Sequence, residues 1–347
     1  MWTSKPTPYN VGDEQAAADY ARTRQKLKDD QRRRSEGGPL TVAEWAKRWI
    51  EERETLQLAT LRDDKGRLEH VLERIGGMLI TTVKPKDIRD LVRSLRRTEL
   101  APRTIRNIYG VTHTMFRDAA IEEVIETNPC MLKRDDLPAK MDKDPEWRSA
   151  ATYTRAEVRA LITDECVPAV RRIQYALKAL AGLRHGEVAG LRWRHHDATA
   201  EPLARLVIAT SYNKGRTKTE VTRRVPVHAE LAQLLAAWRA TWAEIHGREP
   251  ETDDLVAPTK DGALFSANLA GKYMRADLGK LGLRAKASSR NRGGHDLRAW
   301  FITTCQECGA HRDLLRVITH TAQSDVIGGY TRASWPALCA EVAKLTL

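Results

Sequence analysis

Apolar residues recur at helical spacing over most of the chain. Val42, Trp45, Ala46, Trp49 and Ile50 form one stripe, opened by the capping box Thr41-x-x-Glu44. A second stripe runs through Leu61, Leu68, Val71, Leu72 and Ile75 and is stopped by Gly76-Gly77. Ile88, Leu91, Val92 and Leu95 make a third. Ile105, Ile108, Thr112, Met115, Phe116 and Ala119 make a fourth, expected to end near Asn128-Pro129. Amphipathic helices this close in sequence predict a small helical bundle whose Trp and Phe residues are core.

The pattern then lapses. Lys133-Arg134-Asp135-Asp136, Pro138 and the charged residues that follow carry almost no periodicity, as a linker would. A second capping box, Thr154-x-x-Glu157, opens another run with Val158, Leu161 and Ile162, then Ile173, Ala176, Leu177 and Leu180. Residues 205–210 and 221–227 alternate and predict two short strands joined by a polar turn. Helical spacing returns over 231–242, 268–278, 295–307, 311–318 and 335–345. The expected class is mainly α (α+β). An N-terminal helical domain precedes a mostly helical domain holding a small antiparallel sheet. The expected divisions are a basic arm or tail at 1–40, a helical domain at 41–132, a linker at 133–151 and a second domain at 152–347.

Composition narrows the class of function. The 347 residues suffice for about two domains at roughly 150 residues each. With 58 Lys+Arg and 46 Asp+Glu the net charge is 58 − 46 = +12, which points toward a polyanion. Seven of the basic residues crowd into 22–34, either a solvated helix or an arm lying along phosphates. No apolar run approaches the ~20 residues that span a bilayer. The start, MWTSKPTPYN, lacks the apolar stretch of a secretory signal. Five Cys argue against a disulfide scaffold and fit a reducing cytoplasm.

The residues that could carry chemistry are scattered through the second domain. Gly182-Leu183-Arg184-His185-Gly186-Glu187 follows a helix. Thr217-Lys218-Thr219 sits in the turn between the strands, with Lys214 as a competitor nearby. His295-Asp296-Leu297-Arg298 opens a helix, Ile318-Thr319-His320 closes one, and Tyr330 follows ten residues later. In this order they resemble the tyrosine recombinase (phage integrase) family. That family has Arg in G-L-R-x-G-E, Lys in a β-turn, His-x-x-Arg, a later His or Trp and a Tyr near the end. The resemblance covers roughly residues 40 to 345. It includes the first domain, which looks like the SAM-like core-binding domain, with Pro102-Arg103-Thr104 before its last helix. The His320 to Tyr330 spacing is one residue longer than usual, and Gly328-Gly329 can absorb it as a turn.

The resemblance implies a site-specific DNA recombinase that cuts and rejoins DNA through a 3′-phosphotyrosine and integrates or excises a phage or mobile element. It implies double-stranded recombination sites as partner and a homotetramer on DNA, and leaves DNA-bending or directionality proteins open. The chemistry can be stated on its own terms. Reversible cleavage without metal or ATP needs a nucleophile that conserves the bond energy, and a Tyr hydroxyl forming a phosphoester does so. Tyr330 is the candidate, ahead of Tyr212, Tyr273 and Tyr175. Arg184 and Arg298 can neutralise the nonbridging oxygens bidentately. Lys218 can protonate the leaving 5′ oxygen. His295 can take the Tyr proton or hold the phosphate, and His320 can donate to a phosphate oxygen or simply end its helix. Glu187 can orient Arg184 without touching substrate.

Cys305-x-x-Cys308 with His311 reads as helical packing neighbours rather than zinc ligands, and no metal or cofactor is expected. Trp335, Leu338, Val342 and Leu345 form an apolar face for docking into a neighbouring protomer or for packing within the chain. Two alternatives remain: a type IB topoisomerase-like enzyme that relaxes DNA, and a non-catalytic DNA-binding regulator of the same fold. A metal-dependent nuclease is disfavoured by the lack of clustered carboxylates.

Overall fold

Each predicted stripe of the first domain becomes one helix in the computed structural model, which describes residues 40–53, 58–141, 151–209, 222–283, 293–320 and 333–347. The chain divides into two compact units, 1–145 and 146–347. In the first unit α1 (Val42–Glu52) starts at the expected box. Thr41 Oγ1 accepts from the Glu44 amide at 3.2 Å, and Glu44 Oε2 accepts from the Thr41 amide at 2.8 Å. α2 (Leu58–Ile75), α3 (Pro85–Arg96) and α4 (Pro102–Ile121) follow. Their apolar stripes close one core around Trp45, Ile88, Leu95, Ile108, Met115 and Phe116. The Trp45 indole donates to the Met115 carbonyl at 3.2 Å and that of Trp49 to Asp118 Oδ2 at 2.8 Å, pinning α1 to α4.

α4 ends at Ile121, well before the Asn128-Pro129 expected from its pattern. Glu123 takes a left-handed φ of 58°, its amide bonds to the Ala120 carbonyl, and the Val124 amide reaches back to Ala119 at 2.9 Å. This is a Schellman stop built without the glycine that usually announces it. Residues 133–141, the first half of the expected linker, lie on this unit. Arg106 donates to the Arg134 and Pro138 carbonyls, and Arg96 to that of Asp136.

In the second unit α5 (Arg155–Thr163) begins at the second capping box, and α6 (Ala169–Ala181) is the central element. Every α6 residue from Ile173 to Ala181 is buried, as befits a helix surrounded by others. After the short α7 (His185–Ala189) come β1 (His196–Asp197), β2 (Arg205–Ile208) and β3 (Arg223–Pro226), an antiparallel sheet in the order β1-β2-β3. Leu206 faces Val225 and Ile208 faces Arg223. The two-residue β1 is too short to show alternation and was not foreseen.

α8 (Ala229–His246), α9 (Ala267–Lys280), α10 (Gly294–Glu307), α11 (Arg312–Thr319) and α12 (Trp335–Ala343) complete the unit. α5, α8 and α10 pack around α6. The apolar face of α12 is used within the chain: Leu338, Cys339, Val342 and Leu345 are buried in this unit's core. No helix among the described residues is long and apolar enough to cross a membrane.

Candidate active site

α6 stops at Gly182, whose left-handed φ of 62° turns the chain toward Arg184. A Cβ here would lie 2.6 Å from the Phe301 ring of α10, so glycine is needed both for conformation and for close approach. Arg184 then caps α7. Its amide donates to Glu187 Oε2 at 2.7 Å, and its guanidinium donates to Glu187 Oε1 at 3.1 Å and to the His320 carbonyl at 2.7 Å. The side chain keeps 42% of its surface exposed. One turn into α10, Arg298 is 4% exposed and donates to the carbonyls of Gly182 and Thr319. Burial, reinforced by the charge of Arg184, lowers its guanidinium to about 10, still protonated at neutral pH.

A third arginine joins them, one that the motifs did not single out. Arg223 on β3 is buried and donates to both Glu187 oxygens at 2.7 Å and, through Nε, to the Ile318 carbonyl at 2.9 Å. Ile318, Thr319 and His320, successive residues at the end of α11, therefore each receive one arginine: 223, 298 and 184. The last carbonyls of a helix lack partners within it and carry about half a negative charge. They soften the repulsion among three guanidiniums. Burial opposes ionisation of Glu187, but the bonds and charge of Arg223 outweigh it and hold the carboxyl below its usual range. A signal for Arg223 existed: in the alternating run 221–227 it shares a face with Val225 and Val227, so a charge sits on the buried side of a strand.

His320 ends α11 with a left-handed φ of 49°, the α11 cap as well as a candidate site residue. Burial and then the charges of Arg223 and Arg184 lower its imidazole pKa, favouring the neutral ring. His295 is exposed at the start of α10, three residues before Arg298. It lines a groove of about 640 Å³ along that helix with Tyr153, Arg155, Thr303 and Glu307.

Beneath the start of α10 lies an unexpected buried amine. Lys178 of α6 is 2% exposed, and a Cβ on Gly294 would come within 2.7 Å of its Nζ. Burial pulls this amine down to about 8. Nearby His185 faces the Phe265 carbonyl at 3.0 Å; burial, with Lys178 beside it, lowers it to about 4. Lys218, Lys214, Tyr212, Tyr330 and the basic run of 22–34 lie outside the described residues. Tyr175 is core, its hydroxyl donating to Asp277 Oδ2 at 2.7 Å. Cys305 is buried, and Cys308 contacts Arg155 and Thr346. No group of three or more His, Cys, Asp or Glu among the described residues is placed to hold a metal ion.

The structure thus brings Arg184, Glu187, Arg298 and His320 together, with His295 one turn of α10 away. No protein-family profile matches the chain. It is 26% identical over 177 residues, 48% of its length, to the ICEBs1 integrase of Bacillus subtilis (strain 168). The match spans 45% of that relative, less than half its length. Its fold is similar to that of the Tn1549 transposon integrase in complex with circular intermediate DNA. There the TM-score is 0.63 and the identity 20%, over 87% of this chain and 99% of the other. It is also similar to a lambda integrase tetramer bound to a Holliday junction, at TM-score 0.60 and 15% identity over 91% and 90% of the two chains. The mainly helical architecture with its small antiparallel sheet is the integrase fold, and the expected resemblance to that family stands at the level of fold.

Proposed function

We propose that this chain is a tyrosine-type, site-specific DNA recombinase that cuts and rejoins DNA through a 3′-phosphotyrosine, acting on the ends of a phage or other mobile element. The observation that carries the reading is the gathering of three guanidiniums around one carboxylate and one helix end. Their charges sum to about +1.5 when the helix terminus counts as roughly −0.5. That surplus is what a phosphate gaining negative charge on its nonbridging oxygens requires. The order of the motifs and the likeness to integrases support the same conclusion.

In this reading Arg184, with its exposed edge, and Arg298, fixed at the base, clamp the scissile phosphate. Tyr330 attacks phosphorus, expelling the 5′ oxygen, which takes a proton from Lys218. His295 accepts the Tyr330 proton, and the neutral His320 ring donates to a phosphate oxygen. Glu187 holds Arg184 from behind. The bundle of 41–132 serves as the core-binding domain and 152–347 as the catalytic domain, with lysines and arginines of both on DNA phosphates. Pairing two sites with one nucleophile per strand calls for four protomers on DNA.

Covalent trapping tests this. The protein is incubated in EDTA with nicked fragments tiled across the DNA flanking its own gene, then resolved on denaturing gels beside Tyr330→Phe. A metal-independent adduct that disappears in the variant is the expected result. Adducts on every fragment regardless of sequence would favour the topoisomerase reading. DNA binding with no adduct anywhere would favour the regulator.

A further inference from the structure

We propose that Arg223 is a positioning residue for phosphate clamping: by occupying both oxygens of Glu187 from the buried side, it leaves the outer edge of Arg184 for the scissile phosphate. The proposal rests on the recombinase reading above. Its basis is the division of labour among the three arginines. Arg223 directs donors at Glu187 Oε1, Glu187 Oε2 and the Ile318 carbonyl, at 2.7, 2.7 and 2.9 Å. Its side chain is 7% exposed, and each of its three nitrogens is bonded within the protein, two of them to Glu187. Arg184 shares Glu187 Oε1 with it, but at 3.1 Å and with 42% of its side chain open.

Bidentate pairing is the stronger and more directional bond, and only a guanidinium can make it. Without Arg223, the ionised Glu187 would have Arg184 as its one remaining cation in hydrogen-bond contact among the described residues. The carboxylate would then turn toward Arg184 and draw it inward. The bond from Nε to Ile318 acts in the same sense at the other end. It fixes the last turn of α11, whose next carbonyls hold Arg298 and Arg184. One buried side chain thereby sets the aim of both clamping arginines.

The test uses the full chain as wild type, Arg223→Lys and Arg223→Gln, in single-turnover cleavage of one nicked site found by trapping. The site is prepared three ways: as the natural phosphodiester, with a methylphosphonate at the scissile position, and with a bridging 5′ sulfur. The methyl group removes the charge of a nonbridging oxygen, so the reaction depends less on guanidiniums. The sulfur leaves as a thiolate and needs no proton from a general acid.

Both variants are expected to bind DNA within threefold of wild type and to cleave the phosphodiester at least 100-fold more slowly. The loss should shrink below tenfold on the methylphosphonate and persist with the bridging sulfur. Unchanged phosphodiester cleavage would overturn the proposal alone, as would an equal loss on all three substrates, or rescue by sulfur instead. If both variants lose their cooperative melt, Arg223 belongs to the architecture and the positioning role fails. Wild type forming no adduct on any fragment sinks the recombinase reading, and this proposal with it.

Discussion

In the helical bundle, most polar atoms that reach the interior are single handles on apolar bodies. The Trp45 indole meets a carbonyl, the Trp49 indole a carboxylate edge, and Tyr109 the Cys130 carbonyl at 3.0 Å. Among its described residues only Asp64 and Thr112 are buried polar side chains. The second unit instead buries Lys178, Glu187, Arg223, Asp277 and Arg298. Charges taken out of water cost several kcal/mol each, a cost offset where they are tightly paired. The first interior is therefore arranged for stability. The second carries a preorganised charge cluster at stability's expense, as sites built for electrostatic work commonly do.

The largest effects should come from breaking each interior at its centre. Trp45→Ala and Glu187→Ala should each cost about 3–5 kcal/mol, the first by leaving a cavity and the second by stranding Arg223. Native-state hydrogen exchange should place the loss in 41–121 for one and in 151–347 for the other. Their pH dependence should differ. The Glu187 carboxyl is held below its unfolded value of 4.5, so its contribution is complete above 4.5 and is lost as pH falls through the folded value. The gap between wild type and Glu187→Ala should narrow below pH 4.5, and that for Trp45→Ala should stay flat. A flat gap for Glu187 would mean that its charge does not stabilise the cluster.

Lys178 should give the next largest effect, with the opposite sign. Its amine falls from 10.5 to about 8 by burial, so the folded chain resists its charge. At 1.36 kcal/mol per tenfold that penalty is about 3 kcal/mol. It is fully present below pH 8, where both states are protonated, and is gone above 10.5, where neither is. Lys178→Met should therefore stabilise the second unit by about 3 kcal/mol at pH 7, an advantage that shrinks as pH rises from 8 to 10.5. Urea titrations across that range would show it. A destabilised Lys178→Met would mean that the amine holds a bond the folded state needs.

The two interiors also differed in how far they could be read beforehand. Bundle helices follow from stripes of neighbouring residues, and α1 to α3 fell where their stripes and capping signals placed them. The end expected for α4, near Asn128-Pro129, lies past the helix's true end because its stop, Glu123, is a left-handed residue that is not glycine. In the second unit Arg184, Glu187, Arg298 and His320 were legible as motif positions. Their common anchor was not, since the α11 carbonyls meet arginines 21, 95 and 136 residues away in sequence. For Arg223 the alternation of 221–227 marks a charge on the buried face of the strand but not what it pairs with. Its partner Glu187 is 36 residues upstream, and no local pattern links a strand arginine to a helix-start glutamate. The two-residue β1 carries no alternation to detect.

The smallest expected effect isolates context from chemistry, because both units contain the same capping box. Thr41 with Glu44 and Thr154 with Glu157 have matching geometry, 2.8 Å from the cap amide to Glu Oε2 and 3.2 Å from the Glu amide to Thr Oγ1. What differs is the setting: Glu44 is exposed, whereas Glu157 is 9% exposed. Losing a cap of this kind costs about 0.5–2 kcal/mol. Water can replace the threonine oxygen at Thr41, so Thr41→Ala should fall at the low end. At Thr154 the uncapped amide belongs to a buried residue and is harder to hydrate, so Thr154→Ala should fall at the high end. Exchange protection of the first turns of α1 and α5 would read the two costs separately. Equal losses would mean that the strength of a cap is set by its own two hydrogen bonds, and that the contrast between the interiors does not extend to the helix ends.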